Sequence, residues 1–293
     1  MIIKKILSLA TSIISLFIIT LFSNISSKSD ENNIKYYSND EGILSIMYHR
    51  FNENKYPSTN IRIKDFKKHI DLIEKSKFSF ISHEEFETAI NSKNLNKKIL
   101  LTIDDGFQSF YKHAWPFLKK NKIPFILFVS TEPVGKFGYM SWKQIKEVND
   151  SKLSYIGNHS HTHEYLVNFS QKEFEDDINK SIKIFKQEIG SNPKIFSYPF
   201  GEYSLNHKDF IKKNFDFSFG QHSGVIDFNK DRFELPRFPI NEKYGDLKRF
   251  EFLVNLEPLQ YKKLLPEDKL LLSKDNPTKL KVEFFEEQKN IQQ

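Results

Sequence analysis

From Gly42 onward, short apolar runs alternate with amphipathic segments, and this alternation limits the possible folds more than any other feature. Strands alternating with helices favour a parallel α/β architecture, either a barrel or a doubly wound sheet. The pattern predicts strands at residues 43–48, 98–103, 124–130, 153–156, 194–198, 215–219 and 235–240. It predicts helices at residues 63–76, 82–91, 108–121, 141–149, 171–189 and 206–214. Ser170 and Glu173 have the spacing of a capping box at one helix start.

The pattern divides the 293 residues into four parts. Residues 1–27 place Lys4 and Lys5 before an apolar stretch, which is typical of a secretory signal peptide, with a retained membrane anchor as the alternative. Residues 28–41 are polar and predict a linker, residues 42–243 form the α/β domain, and residues 244–293 form a short C-terminal extension. We therefore expect an exported protein that is periplasmic, at the cell surface or membrane-anchored facing outside the cytoplasm.

Composition narrows the range of functions. The net charge of +6 comes from scattered basic residues, so no nucleic-acid partner is expected. The chain has no cysteine, which excludes disulfides, thiolate zinc sites and cysteine nucleophiles.

The most informative motif is the adjacent pair Asp104 and Asp105, which ends an apolar run and precedes Gly106. An Asp-Gly hairpin turn is the simple alternative. A strand-to-helix junction fits better, because the preceding run is apolar throughout and a helical segment follows. Two neighbouring carboxylates repel each other, and a bound divalent cation would relieve that repulsion.

A second motif places His159 and His163 four residues apart, just after a predicted strand. On their own they could equally be polar loop residues. Combined with one carboxylate they would form a three-ligand metal site that leaves room for water and substrate. The segment 198–201 (Tyr-Pro-Phe-Gly) also follows a predicted strand. Functional side chains of parallel α/β folds gather where strands end, so we expect these three segments to converge.

Taken in order, these motifs resemble the motif series of polysaccharide deacetylases, which carry the NodB homology domain and form carbohydrate esterase family four. The series is Thr-Ile-Asp-Asp-Gly-Phe at 102–107, Gly-Asn-His-Ser-His-Thr-His at 157–163 and Phe-Ser-Tyr-Pro-Phe-Gly at 196–201. Residues 46–50 and Leu-Pro-Arg at 235–237 resemble the branch that acts on exported poly-N-acetylglucosamine.

The resemblance implies a distorted (β/α) barrel of about seven parallel strands. It implies that Asp105, His159 and His163 bind a divalent metal, with zinc expected and cobalt or nickel as alternatives. Asp104 would be the general base, and the backbone N–H of Phe200 would face the developing oxyanion.

Two departures from the family pattern concern proton transfer. Many relatives have an arginine in the third motif that pairs with the base, whereas this chain has Ser197, so tuning of the Asp104 pKa must come from elsewhere, such as the metal. A late Leu-x-His pattern is also missing after residue 240. His222 is the first candidate for the general acid, and His49 is the second.

His49, Tyr198 and Trp142 are the candidate substrate-binding residues. For Trp142, which could stack on a sugar ring, a position in the core is the competing interpretation.

The leading hypothesis is a metal-dependent hydrolase that removes N-acetyl groups from an extracytoplasmic polysaccharide of the N-acetylglucosamine type. An O-acetyl esterase acting on glycans would use the same residues. A catalytically inactive glycan-binding relative is a third hypothesis, motivated by the two departures. The N-terminal segment could attach any of these to a membrane.

Overall fold

The computed structural model describes residues 42–92, 98–227, 231–259, 261–267 and 279–284. The predicted signal or anchor and the linker lie outside these ranges. Within the ranges, no helix has the length and apolar character needed to cross a bilayer.

A curved parallel sheet forms the centre of the domain. Its strands are buried because helices pack over them, and the β1 side chains, for example, are buried along the whole strand. The described strands are β1 (Ile43–Tyr48), β2 (Arg50–Phe51), β3 (Asn60–Ile61), β4 (Ser79–Phe80), β5 (Lys98–Ile103), β6 (Phe125–Val129), β7 (Ser154–Asn158), β8 (Ile195–Ser197), β9 (Phe217–Phe219), β10 (Phe238–Pro239), β11 (Lys263–Leu265) and β12 (Lys281–Glu283).

The main sheet has the order β10-β1-β5-β6-β7-β8-β9, and all these neighbours are parallel. The short strand β4 also pairs with the start of β5, through Ser79 with Lys98 and Phe80 with Ile99. The expectation of a distorted barrel with about seven parallel strands is confirmed.

The segment 235–240 links the two ends of this sheet. Leu235 forms a parallel bridge with Phe219 on β9, while Phe238 pairs with Ile46 on β1. A single stretch of chain therefore hydrogen-bonds to β1 near one end of the sheet and to the end of β9 at the other. Arg237 belongs to this stretch and therefore lies between the two ends of the sheet.

The helices surround the sheet and bury one apolar face each. In α5, Ile178 and Phe185 point into the core, and Ser170 and Glu173 form the predicted capping box. The described helices are α1 (Ile63–Glu74), α2 (His83–Ser92), α3 (Trp115–Asn121), α4 (Trp142–Asp150), α5 (Gln171–Glu188), α6 (Leu205–Asn214) and α7 (Leu247–Val254).

The sequence prediction differs from the structure in three places. The helix predicted at 108–121 begins as a π-helical segment, Phe110–Ala114, before α3. Strands β2, β3 and β4 are only two residues long, too short to show an alternating pattern. The part beyond residue 243 contains α7 and the antiparallel pair β11–β12, while the boundary at 243 stays a prediction.

Candidate active site

The turn after β5 separates the two adjacent carboxylates. Asp104 still continues the strand ladder, because its N–H donates to the Tyr48 carbonyl over 2.9 Å. Asp105 then takes a left-handed backbone conformation, with φ of +74°. That conformation costs a non-glycine residue about 1–2 kcal/mol. The result is that the two side chains point to different partners.

His159 directly follows β7 and is fully buried. Its Nδ1 lies 2.7 Å from the Ser197 carbonyl oxygen. A carbonyl can only accept a hydrogen bond, so Nδ1 carries the proton and donates. Nε2 is therefore left with its lone pair, and it faces Asp105 Oδ1 at 3.4 Å and Asp104 Oδ2 at 3.7 Å.

His163 reaches the same carboxylate from the loop that follows His159. Its Nε2 lies 3.0 Å from Asp105 Oδ1. Ser160 and His163 both have left-handed backbones, with φ of +72° and +59°. The His163 N–H donates to Ser160 Oγ over 3.0 Å, which closes the loop on itself. The bend turns both imidazoles towards Asp105.

The ligand atoms of Asp105, His159 and His163 all lie within 4.8 Å of one another. Asp105 Oδ1 and His159 Nε2 are buried, and neither has a well-aligned hydrogen-bond partner among the described residues. Buried polar atoms are rarely left unpaired, because their desolvation is costly. Lone pairs converging on one point, from one carboxylate and two imidazoles, fit a divalent cation with an open coordination position.

The surroundings of Asp105 keep its carboxylate ionised. Burial alone raises the pKa of Asp105, but contacts with His159 and His163 outweigh burial, so this pKa lies well below its usual range. For His163 burial lowers the pKa, and the contact with Asp105 raises it above the usual value. An ionised Asp105 is the form that binds a metal.

Asp104 is held by an arginine that the sequence motifs did not assign. Both Arg237 and Asp104 are completely buried. Arg237 Nη1 donates to Asp104 Oδ1 over 2.7 Å and Nη2 donates to Oδ2 over 2.8 Å. This is a bidentate pair, the strongest geometry for an arginine and a carboxylate.

The remaining donors of Arg237 are also used. Nη2 donates to Ser197 Oγ over 2.7 Å, and Nε donates to the Gly220 carbonyl over 2.9 Å. Burial would raise the pKa of Asp104, but the charge and the hydrogen bonds of Arg237 lower it below the usual value. The sequence leaves the tuning of the Asp104 pKa to a source outside the third motif, such as the metal. Arg237 is one such source, and Ser197 helps to orient the arginine.

Exposed aromatic rings lie on the His163 side of the site. Phe200, whose φ is +58°, places its ring centroid 5.0 Å from that of His163. The Phe200 ring stacks on Tyr165 at 3.9 Å with an angle of 7° between the planes. Phe200 and Tyr165 are 37% and 47% exposed, so this aromatic pair is open to a ligand.

A second group of side chains packs around Phe107, which lies on the turn that carries the aspartates. Phe107 packs against Tyr139 with ring centroids 5.0 Å apart. The Arg50 guanidinium lies 3.4 Å from the Phe107 ring centroid and 4.2 Å from that of Tyr56. The pKa of Tyr139 is raised, first by burial and then by the charge of Asp105. This group therefore lies within electrostatic range of the carboxylates.

The two candidate general acids occupy different environments. His49, which follows β1, is half-buried. Burial lowers its pKa, while the charges of Asp105 and Asp104 act in the opposite direction. His222 is exposed, and its backbone carbonyl accepts from the Arg237 N–H over 2.9 Å. The structure thus places His49 within electrostatic range of both carboxylates, and it connects the backbone of His222 to that of Arg237.

Two predicted substrate-binding side chains pack in or against the core. Tyr198 is 1% exposed and packs edge-on against Phe196, so little of its ring is accessible to a glycan. Trp142 is half-buried between α4 and α5, where its ring meets Phe185 edge-on at 6.1 Å. For both residues the structure favours packing over substrate contact.

Comparison with known proteins supports the resemblance. The polysaccharide deacetylase family profile matches residues 91–214. The poly-beta-1,6-N-acetyl-D-glucosamine N-deacetylase of Staphylococcus epidermidis is 22% identical over 76% of this chain and 87% of its own length. The enzyme of that name from Staphylococcus aureus strain N315 is 23% identical over 82% and 93%.

A solved structure supports the fold as well. IcaB from Ammonifex degensii superposes with a TM-score of 0.67 at 25% identity, covering 74% of this chain and 98% of IcaB. Residues 91–214 therefore resemble a polysaccharide deacetylase domain, and the relatives that align with most of this chain are named as N-deacetylases, which are hydrolases of carbon–nitrogen bonds.

Proposed function

We propose that this protein is a metal-dependent N-deacetylase of an extracytoplasmic polysaccharide built from N-acetylglucosamine-type units. One observation carries the proposal. The converging lone pairs of Asp105, His159 and His163 lie beside a second carboxylate, Asp104, that an arginine keeps ionised. A metal site beside an ionised carboxylate is the equipment for hydrolysing an acyl group.

Asp105, His159 and His163 would hold the ion, with zinc expected and cobalt or nickel as alternatives. A bound divalent ion supplies Lewis acidity to an acyl carbonyl and lowers the pKa of water. Asp104 accepts the proton of the attacking water. Its lowered pKa keeps it unprotonated near neutral pH, and both of its oxygens stay aligned by Arg237. The Phe200 N–H donates to the oxyanion of the tetrahedral intermediate.

For protonation of the departing amine we propose His49 ahead of His222. His49 directly follows Tyr48, whose carbonyl accepts from the Asp104 N–H over 2.9 Å. The charges of Asp105 and Asp104 both act on the His49 pKa. His49→Gln and His222→Gln form a matched pair of variants. The variant that lowers kcat on the amide, with a smaller effect on an ester whose leaving group needs no proton, identifies the acid. An equal effect of His49→Gln on both substrates would refute its assignment.

The substrate class follows from the relatives. Enzymes named poly-beta-1,6-N-acetyl-D-glucosamine N-deacetylases align with most of this chain, and the exposed rings of Phe200 and Tyr165 offer a surface for sugar rings. Export by residues 1–27 would bring the protein to such a polymer. One of the two reasons for the hypothesis of a catalytically inactive relative was the missing arginine. That reason is removed, because Arg237 pairs with Asp104 instead.

The test is release of acetate from acetylated glucosamine oligomers by the full chain with Zn²⁺, Co²⁺ or Ni²⁺. Asp104→Asn should abolish release while metal binding persists, because Asp104 is the base and the ligands are untouched. Asp176→Asn, an exposed carboxylate paired with Lys172, is the control and should be fully active. Unchanged release in Asp104→Asn would refute the mechanism, and faster turnover of O-acetylated glycans would favour an esterase.

A further inference from the structure

The loop between the two histidines is held by a carboxylate from α5. Asp177 is only 6% exposed. Its Oδ1 accepts from the His161 N–H over 2.8 Å. Its Oδ2 accepts from the Thr162 N–H over 3.0 Å and from the Thr162 hydroxyl over 2.7 Å. Three donors from two consecutive loop residues therefore converge on one buried side chain.

These two residues lie between the strained positions of the loop. Ser160 and His163 have the left-handed φ values of +72° and +59°, and both residues that Asp177 holds lie between them. The start of the loop has a separate support, since the Ser160 N–H donates to Asn158 Oδ1 over 2.8 Å. Asn158 in turn donates to Ser181 Oγ on α5 over 2.7 Å. The loop is thus fastened to α5 at two points.

We propose that Asp177 is a positioning residue that fixes the backbone of residues 161–162 so that His163 faces Asp105 before a metal arrives. The inference rests on the proposed metal site. Without the carboxylate, two N–H groups and a hydroxyl lose their acceptor, and the loop relaxes from its left-handed conformations. His163 is then not oriented towards Asp105 before the metal binds, so metal binding must reorganise the loop.

The experiment measures Zn²⁺ affinity of the full chain, after chelator treatment, by competition with a chromophoric chelator. Asp177→Asn has nearly the same shape, but an amide NH₂ replaces one oxygen, so the N–H of either His161 or Thr162 loses its acceptor. Loss of a hydrogen bond that orients a ligand weakens metal affinity by about 10–100-fold. We expect a loss of that size for Asp177→Asn.

Asp176→Asn is the matched control, because it removes the neighbouring carboxylate of the same helix, which is exposed and paired with Lys172. Its Zn²⁺ affinity should equal that of the parent. Circular dichroism and the melting temperature without metal report folding separately. A purely structural role would lower the melting temperature and leave the affinity of the folded protein unchanged, which would overturn the proposal.

A milder pair of variants covers a failure of Asp177→Asn to fold. Thr162→Val removes only the hydroxyl that donates to Asp177, and Thr162→Ser keeps it. We expect weaker Zn²⁺ binding for valine and parental binding for serine. Equal affinity of the two variants overturns the proposal. Failure of the parent itself to bind Zn²⁺, Co²⁺ or Ni²⁺ refutes the metal site, and with it this inference.

Discussion

Replacing Arg237 by methionine tests the claim that this arginine keeps the base ionised. The side chains of Arg237 and Asp104 are both 0% exposed, so neither charge is screened by water. Removing one partner of a buried, hydrogen-bonded pair typically costs about 3–5 kcal/mol, because the other charge stays buried without compensation. A whole domain is stable by only about 5–15 kcal/mol. We therefore expect Arg237→Met to be one of the most destabilising substitutions in the chain.

Urea unfolding at low temperature, with chelator present, gives the free energy of unfolding for the parent and the variant. For a chain of this size a loss of 3–5 kcal/mol corresponds to a melting temperature lower by roughly 6–20 °C. Arg62→Met is the control, since Arg62 pairs with Asp65 at the surface with 52% of its side chain exposed. Removing such a pair should change the stability by less than about 1 kcal/mol.

A double-mutant cycle isolates the interaction itself. Arg237→Met and Asp104→Asn are measured singly and together, and for two groups in direct contact we expect a coupling energy of about 2–3 kcal/mol. Arg237→Lys keeps the charge but cannot donate to both oxygens at once, so its free energy of unfolding should lie between those of the parent and Arg237→Met. A coupling energy below about 0.5 kcal/mol would refute the view that these residues act as one unit.

Three further outcomes are expected. Tyr165→Ala should lower kcat/KM by about tenfold (~1.4 kcal/mol) on long oligomers but not on a small acetylated substrate, with Tyr244→Ala as a neutral control. Burial lowers the pKa of His69 to about 4. As pH falls from about 6.5 to about 4, the unfolded chain alone binds this proton, so roughly 3 kcal/mol of stability should be lost in urea titrations, and His69→Gln should flatten the profile. The pKa of His163 is raised beside Asp105, so this histidine stabilises the folded state fully below about pH 6.5. That stabilisation should be lost as the pH rises through the folded-state pKa, which melting curves measured with chelator present should show.

Much of the fold could be predicted because local periodicity reports burial. Strands β1 and β5 are apolar along nearly their whole length, and the capping box of α5 marks its start to the residue. Strands of two residues carry no period, and the π-helical start of the segment before α3 leaves the same apolar spacing as an α-helix. Elements that depend on tertiary pairing were therefore missed.

The candidate site likewise combines residues that local motifs predict with one residue that they do not. Asp105, His159 and His163 were candidates because each motif has a recognisable spacing and follows a strand. For Arg237 the sequence shows only its place in Leu-Pro-Arg at 235–237, which resembles one branch of the family and predicts no role for the arginine itself. It pairs with a carboxylate 133 residues away, and no spacing in one sequence encodes such a contact. Only the closure of the sheet by that segment brings the two together.

The position of the arginine also connects the architecture to the chemistry. An arginine in the third motif would reach the base from β8, whereas Arg237 reaches it from the segment that bridges both edges of the sheet. Ser197 then stands where the family arginine would be, and it accepts a hydrogen bond from the same guanidinium. A small side chain at 197 leaves room for Arg237 to donate to the base from the opposite edge. Serine at 197 and arginine at 237 therefore work together, and introducing an arginine at 197 would place two buried cations on one carboxylate.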